Sequence, residues 1–349
     1  MPIPFKRDLS EARASLQRWF ERHLGTAAGV RLDGDLDSPS GAGNANETFL
    51  FSITYGRGEH CYHEELVLRI QATAFSLFMD ASLAQEVELI GALRGHMSTP
   101  VAEVRWFEPN PSIFGAPFCI MTRTQGQIPP DDPGAGWVVE LPVDARRRLW
   151  RNAFATLCRI HTDPRREQVE AVLSSRLRGR SGVEEQLDYW KMYRSWSRAN
   201  DPQLDQLFER ILACVPKRIT TGLSWGDARM QNMIFDADLE CAAVIDWEMA
   251  NLGGPLMDLA WWLIFDRFLP ITSGSPWADG HGTRDETLAA WEELTHIPTS
   301  DLAWYEAFAL YRLGSICART IALNRSFGVD LSGSNLIGAI ASIADGVPL

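Results

Sequence analysis

The stretch 222–232, GLSWGDARMQN, offers two incompatible chemistries. Gly222, Ser224 and Gly226 satisfy G-x-S-x-G, in which a serine on a tight turn acts as an acyl-transfer nucleophile. Asp227 and Asn232 satisfy D-x-x-x-x-N instead. That pattern pairs a carboxylate that can orient a hydroxyl and take its proton with an amide oxygen that can bind a hard cation.

The neighbouring elements discriminate between them. A nucleophilic serine needs a strand before it and a helix running away after it. KRITTGLSW can supply the strand, but DARMQNMIFDADLE breaks into a hairpin pattern within a few residues. No HGGG-type oxyanion segment is present, although Asp258 with His281 or His296 could complete a triad. The aspartate chemistry is better served. Over 232–247 two short apolar runs flank DADLE, a hairpin that starts at Asn232 and ends at VIDWE. Asp227, Asn232 and Asp246 then meet at one end of a loop-strand-turn-strand unit. Phosphoryl transfer requires such a set, with Asp227 as base and Asn232 and Asp246 as oxygen ligands of Mg2+. Ser224 becomes a loop residue, and a serine hydrolase remains the alternative.

Composition narrows the partners. The 349 residues carry a net charge of −12, which disfavours nucleic acid and anionic membrane surfaces. Six dispersed cysteines without a C-x-x-C pair argue against a disulfide framework or zinc and for a reducing, cytoplasmic setting. The N-terminus MPIPFKRDLSEARASLQRWF reads as an amphipathic helix without a signal-type apolar region. LMDLAWWLIF is interrupted by Asp258 and is too short to span a bilayer. No Walker A motif or complete G-x-G-x-x-G occurs. Only Lys6, Lys191 and Lys217 are lysines.

Along the chain, a first helix and a Gly-rich turn lead into strands over 48–55 and 65–70 joined by GRGE. A helix follows with Leu83, Val87, Ile90 and Leu93 on one face and Gly95 as its C-cap. VAEVRWFE and FGAPFCIMTRTQG read as two further strands. The loop QGQIPPDDPGAGW marks the boundary, and helices dominate beyond it. The expectation is an α+β chain with a small β-rich lobe over 1–123 and a larger helical lobe over 124–349.

WGDARMQNMIFD and VIDWEMANLGGPLMDLAW resemble the aminoglycoside phosphotransferase-like family of small-molecule kinases, which also takes in choline kinase-type enzymes. Within it they resemble the branch related to the kinase-like domain fused to some acyl-CoA dehydrogenases. GNANETFLF, LDYWKMYRSWSRA and WYEAFALYRLG extend the likeness over nearly the whole chain. The resemblance implies a two-lobed protein-kinase-like fold, ATP and Mg2+ as cofactors, and a small-molecule acceptor. That acceptor would be aminoglycoside-like, a metabolic alcohol or a hydroxyacyl compound. Nothing sets an oligomeric state.

Carried across by position, the resemblance makes Asp227 the catalytic aspartate and Asn232 and Asp246 the metal ligands. The turn 40–47 becomes the loop over the phosphates, with Gly41, Gly43, Asn44 and Asn46 in it. Met121 and Arg123 fall where hinge backbone meets adenine. There are departures. Trp225 stands where the family usually has the histidine of H-G-D, a support for the loop. Lys6 is the only lysine before Lys191, so no strand lysine can hold the phosphates. Arg69 is the replacement cation, with Glu86 as its partner, or else the two are a solvated strand arginine and a solvated helix glutamate. The usual G-D after the metal aspartate is Gly253-Gly254, with Asp258 left to brace the loop. Arg229 stabilises the transferring phosphoryl group or is a surface arginine. Such departures keep a non-catalytic nucleotide-binding pseudokinase open as a second alternative. The segments 183–199 and 304–324, with Glu185 and Asp188, are candidate walls for the acceptor. His60, His63 and Glu64 read as a polar turn, and His161 as a buried structural residue.

Overall fold

In a computed structural model the described residues are 7–25, 29–39, 46–57, 60–73, 76–175, 182–198, 201–329, 331 and 336–344. They form two compact units, Met1–Gly91 with Ala102–Thr124, and Ala92–Val101 with Gln125–Leu349.

The first unit is a five-stranded antiparallel sheet with helices. Helix α1 (Leu9–Leu24) begins at Asp8, whose carboxylate accepts from the N–H groups of Ser10 and Glu11. Strands β1 (Arg31–Asp37), β2 (Asn46–Arg57) and β3 (His60–Gln71) precede helix α2 (Leu83–His96). Strands β4 (Val104–Glu108) and β5 (Phe118–Thr122) complete the sheet in the order β1-β2-β3-β5-β4. Alternation decides the faces. Leu66, Leu68 and Ile70 of β3 are fully buried in the core with Leu16, Phe20, Ile53 and Phe118. Arg69, one residue out of phase, lies opposite Thr48 of β2 and Cys119 of β5. Strand β1 was not legible, because Asp33, Gly34 and Asp35 interrupt its apolar alternation. Only Leu32 and Leu36 are buried there, and the register shifts between Asp33 and Asp37. Strands β2 and β3 run beyond 48–55 and 65–70, and Gly95 lies inside α2 rather than capping it.

The second unit is helical around one short hairpin. Helices α3 (Trp137–Glu140), α4 (Val143–Thr162), α5 (Arg166–Ser174), α6 (Val183–Ser197) and α7 (Pro202–Ala213) come first. Strands β6 (Met233–Phe235) and β7 (Cys241–Val244) pair antiparallel, followed by α8 (Pro255–Ser273), α9 (Arg284–Thr295), α10 (Leu302–Ser326) and α11 (Leu336–Ala344). Helix α8 shows no amphipathic period because every residue from Pro255 to Phe265 is buried. It packs against α10 and α11 at the centre of the unit. No helix among the described residues is long and apolar enough to cross a membrane.

Candidate active site

The loop 222–232 is pinned from beneath by one carboxylate. Asp258, in the first turn of α8 and fully buried, accepts from the main-chain N–H groups of Trp225 (2.6 Å) and Gly226 (2.8 Å). It also accepts from the Ser224 hydroxyl at 2.7 Å, and His161 Nε2 lies 3.2 Å away. Gly226 has φ +95°, and a Cβ there would fall 2.1 Å from the Met249 carbonyl oxygen, so only glycine fits. Ser224 is therefore a buried donor to a carboxylate rather than a hydroxyl facing a base. KRITTGLSW forms isolated bridges, Gly222 with Gly253 and Ser224 with Asn251, and no strand. His281 is paired with Asp266, and His296 is the C-cap of α9. The pieces of a nucleophile elbow and its triad do not assemble.

Asp227 follows directly, and its carboxylate is held on both oxygens. Oδ2 accepts from Asn232 Nδ2 at 2.6 Å and from Arg229 Nε at 3.3 Å. Oδ1 accepts from the indole N–H of Trp261 at 2.6 Å, a contact with no signal in the sequence. Asn232 Nδ2 also donates to the Asp227 carbonyl at 3.0 Å. With its nitrogen committed to Asp227, the amide turns its oxygen the other way. The hairpin then brings up Asp246. Met233 faces Val244, and the Ile245 N–H donates to the Asn232 carbonyl at 2.9 Å. Asp246 is left-handed with φ +61°, a conformation that aspartate tolerates better than most residues. The carbonyls of Ile245 and Asp246 both accept from Trp225 Nε1, at 3.0 and 3.2 Å. The tryptophan that replaces the expected histidine thus supplies an N–H that supports the Asp246 turn.

Arg229 is not a solvated surface arginine. Its Nη1 donates to Asp131 at 2.6 Å, and its guanidinium lies over the Phe265 ring, 5.2 Å from the centroid. Burial alone would lower its pKa. Asp227, Asp131 and Asp246 outweigh that and raise it, so the group is a fixed positive charge among carboxylates.

No group of three or more His, Cys, Asp or Glu side chains able to hold a metal exists among the described residues. Asn232 and Asp246, expected from the sequence to hold a metal, carry an amide oxygen and a carboxylate. Two hard oxygens suit Mg2+, which keeps water and substrate phosphate as its other ligands.

In the first unit, Arg69 and Glu86 form an ion pair, with side-chain exposures of 17% and 4%. The solvated alternative for this pair is excluded. Cys119, opposite Arg69, has its thiol pushed up to about 12, chiefly by burial. Asn46 is buried at the start of β2 opposite Gln71, while Gly41, Gly43 and Asn44 lie outside the described residues. Met121 is paired within β5 against Val67, and the Arg123 N–H donates to the Glu65 carbonyl at 3.0 Å. That N–H is spent inside the sheet.

An antiparallel β-sheet unit and a helical unit that carries an Asp–Asn–Asp hairpin make a protein-kinase-like α+β fold. The chain belongs to the phosphotransferase enzyme family (APH), whose sequence model matches residues 38–297. It is 25% identical over 335 residues to mouse (Mus musculus) acyl-CoA dehydrogenase family member 10, covering 90% of this chain and 29% of that protein. It is 26% identical over 292 residues to human (Homo sapiens) family member 11, covering 81% and 34%. The chain thus spans about a third of the length of these relatives. Among solved structures, a putative aminoglycoside phosphotransferase from Ralstonia eutropha superposes with a TM-score of 0.66 at 20% identity, covering 96% of this chain and 95% of that one. Macrolide 2'-phosphotransferase type I gives 0.57 at 18% identity, covering 100% and 99%. A thermostable APH(4)-Ia variant in ternary complex with AMP-PNP and hygromycin B gives 0.54 at 16% identity, covering 95% and 98%. These likenesses are of fold.

Proposed function

We propose that the chain transfers the γ-phosphoryl group of ATP, with Mg2+, to a hydroxyl of a small molecule in the cytoplasm. The observation that carries this reading is the Asp227 carboxylate, held by Asn232, Arg229 and Trp261 at the end of the hairpin that presents Asp246. Asp227 accepts a hydrogen bond from the acceptor hydroxyl and takes its proton as the new O–P bond forms. The bond from the γ-phosphorus to the β–γ bridging oxygen breaks, and ADP leaves. Arg229 offsets charge on the transferring group. The Asn232 oxygen and the Asp246 carboxylate would hold Mg2+, whose charge, when bound, neutralises phosphate oxygens. Arg69, fixed by Glu86, takes the phosphate-holding place of the missing lysine. Residues 1–123 take the nucleotide-binding role, and residues 124–349 supply catalysis and the acceptor site. The names of the curated relatives favour a metabolic alcohol or hydroxyacyl compound over an aminoglycoside.

A thermal-shift titration with ATP and Mg2+ tests this on the wild type and Asp246→Ala. Ligand at about a hundred times its dissociation constant stabilises a fold by about 2.7 kcal/mol. The expected result is a clear upward shift in the wild type that is lost in the variant. No shift in either protein at saturating ATP would overturn the proposal.

A further inference from the structure

We propose that Trp261 and Arg312 are positioning residues that together aim the Asp227 carboxylate at the acceptor. The inference rests on the reading of Asp227 as the base.

The first part is the indole. Trp261 is buried on α8, and its N–H reaches Asp227 Oδ1 at 2.6 Å, a charge-assisted hydrogen bond. A carboxylate offers about four lone-pair sites, two on each oxygen. Asn232 and Arg229 take those of Oδ2, and Trp261 takes one on Oδ1. Among the described residues one site on Oδ1 is left. The N–H therefore selects the direction from which a hydroxyl can be accepted. Phenylalanine would keep an aromatic ring there, smaller than the indole, without making that selection.

The second part is the charge behind the indole. Arg312 of α10 is buried, with its guanidinium 4.6 Å from the Trp261 ring centroid and 5.3 Å from that of Trp190 on α6. Its Nη2 donates to the Gly226 carbonyl at 3.1 Å, whereas Nε and Nη1 have no hydrogen-bond partner among the described residues. A buried charge with two unmet donors is a costly residue where a methionine or leucine would fill the volume. What it supplies is specific. The Gly226 carbonyl belongs to the peptide that leads into Asp227, while the Gly226 N–H is fixed by Asp258. Arg312 thus clamps the peptide plane just before the base and stacks on the indole that clamps its carboxylate. Burial brings its pKa down to about 10, against the pull of Asp258, Asp227 and Tyr189, so it stays cationic at neutral pH. An uncharged residue would leave Asp227 and Asp258 without this counter-charge.

Both parts predict an effect on turnover rather than on nucleotide affinity. The test is steady-state Mg-ATP hydrolysis, with water as acceptor, by the full chain and its Trp261→Phe, Arg312→Met, Arg312→Lys, double and Asp227→Asn forms. Trp261→Phe and Arg312→Met should each lower kcat by about 10- to 100-fold with an unchanged KM for ATP. Combined, they should lower it less than the product of the two effects. Arg312→Lys, which keeps the charge but not the planar stack, should recover part of the loss and also serves if Arg312→Met does not fold. Independently of turnover, the indole N–H resonance that disappears in Trp261→Phe should lie downfield and move in both Asp227→Asn and Arg312→Lys. Asp227→Asn abolishing hydrolysis while Trp261→Phe keeps wild-type kcat, or an indole resonance indifferent to Asp227→Asn, would overturn the positioning role and leave Asp227 as base. Hydrolysis by Asp227→Asn at the wild-type kcat would overturn both.

Discussion

The indole N–H of Trp225 donates to the main-chain carbonyl of Asp246 at 3.2 Å, and the same N–H meets the Ile245 carbonyl at 3.0 Å. A fully buried tryptophan thereby supports a left-handed aspartate whose backbone posture is unfavourable for most side chains. Trp225→Phe keeps an aromatic ring, though a smaller one, and removes the donor. It is expected to cost about 1–2 kcal/mol of stability and to weaken Mg-dependent nucleotide binding several-fold. Denaturant melts and an ATP titration with and without Mg2+ measure the two effects. Equal losses of affinity with and without the metal would show that Asp246 is not the group affected.

Asp227→Asn keeps the size of the side chain and removes its charge. Phosphoryl transfer should fall by about 10²–10⁴-fold, the range for loss of a positioned general base. The thermal shift with ATP and Mg2+ should persist. A variant that turns over at the wild-type rate would remove Asp227 as the base, whereas a wild type that binds ATP and Mg2+ without turnover would place the chain among nucleotide-binding proteins without catalysis.

Breaking the Arg69–Glu86 pair should be costly because a largely buried charge loses the counter-charge that faces it. Glu86→Gln is expected to destabilise the chain by about 3 kcal/mol and to raise the KM for ATP, since Arg69 loses its anchor. Arg69→Lys, which keeps a charge at this place on β3, should retain most of the nucleotide affinity, whereas Arg69→Ala should not. Equal KM values for the lysine and alanine variants would remove Arg69 from the phosphate site.

Acid sensitivity has an assignable source in Glu286. Its carboxylate is held at about 2 rather than the usual 4.5, by the ion pair with Arg147 first and by the Thr283 N–H of the α9 capping box second. Because the folded pKa lies below the unfolded one, the stabilisation is complete above about pH 4.5 and is lost as pH falls toward 2. Glu286→Gln should melt below the wild type at pH 7, and the gap should close across that window. A gap that stays constant from pH 7 to pH 2 would assign the difference to packing.

The short-range part of this protein was legible in the amino-acid sequence. Asp227, Asn232 and Asp246 lie within one loop-strand-turn-strand unit, and the backbone of so short a unit leaves its polar ends little choice but to meet. The exchange of histidine for Trp225 was legible as a departure, but the direction of its N–H was not. Arg69 and Glu86, 17 residues apart, allowed two readings until β3 took its place between β2 and β5. The remainder is long-range. Trp261 lies 34 residues from Asp227, and Arg312 lies 86 residues from Gly226. Both sit on helices buried on nearly every face, so no periodicity marks which side chain is turned toward the loop. Only the packing of α8 against α10 decided that one indole N–H points at the carboxylate and that one guanidinium is enclosed behind it.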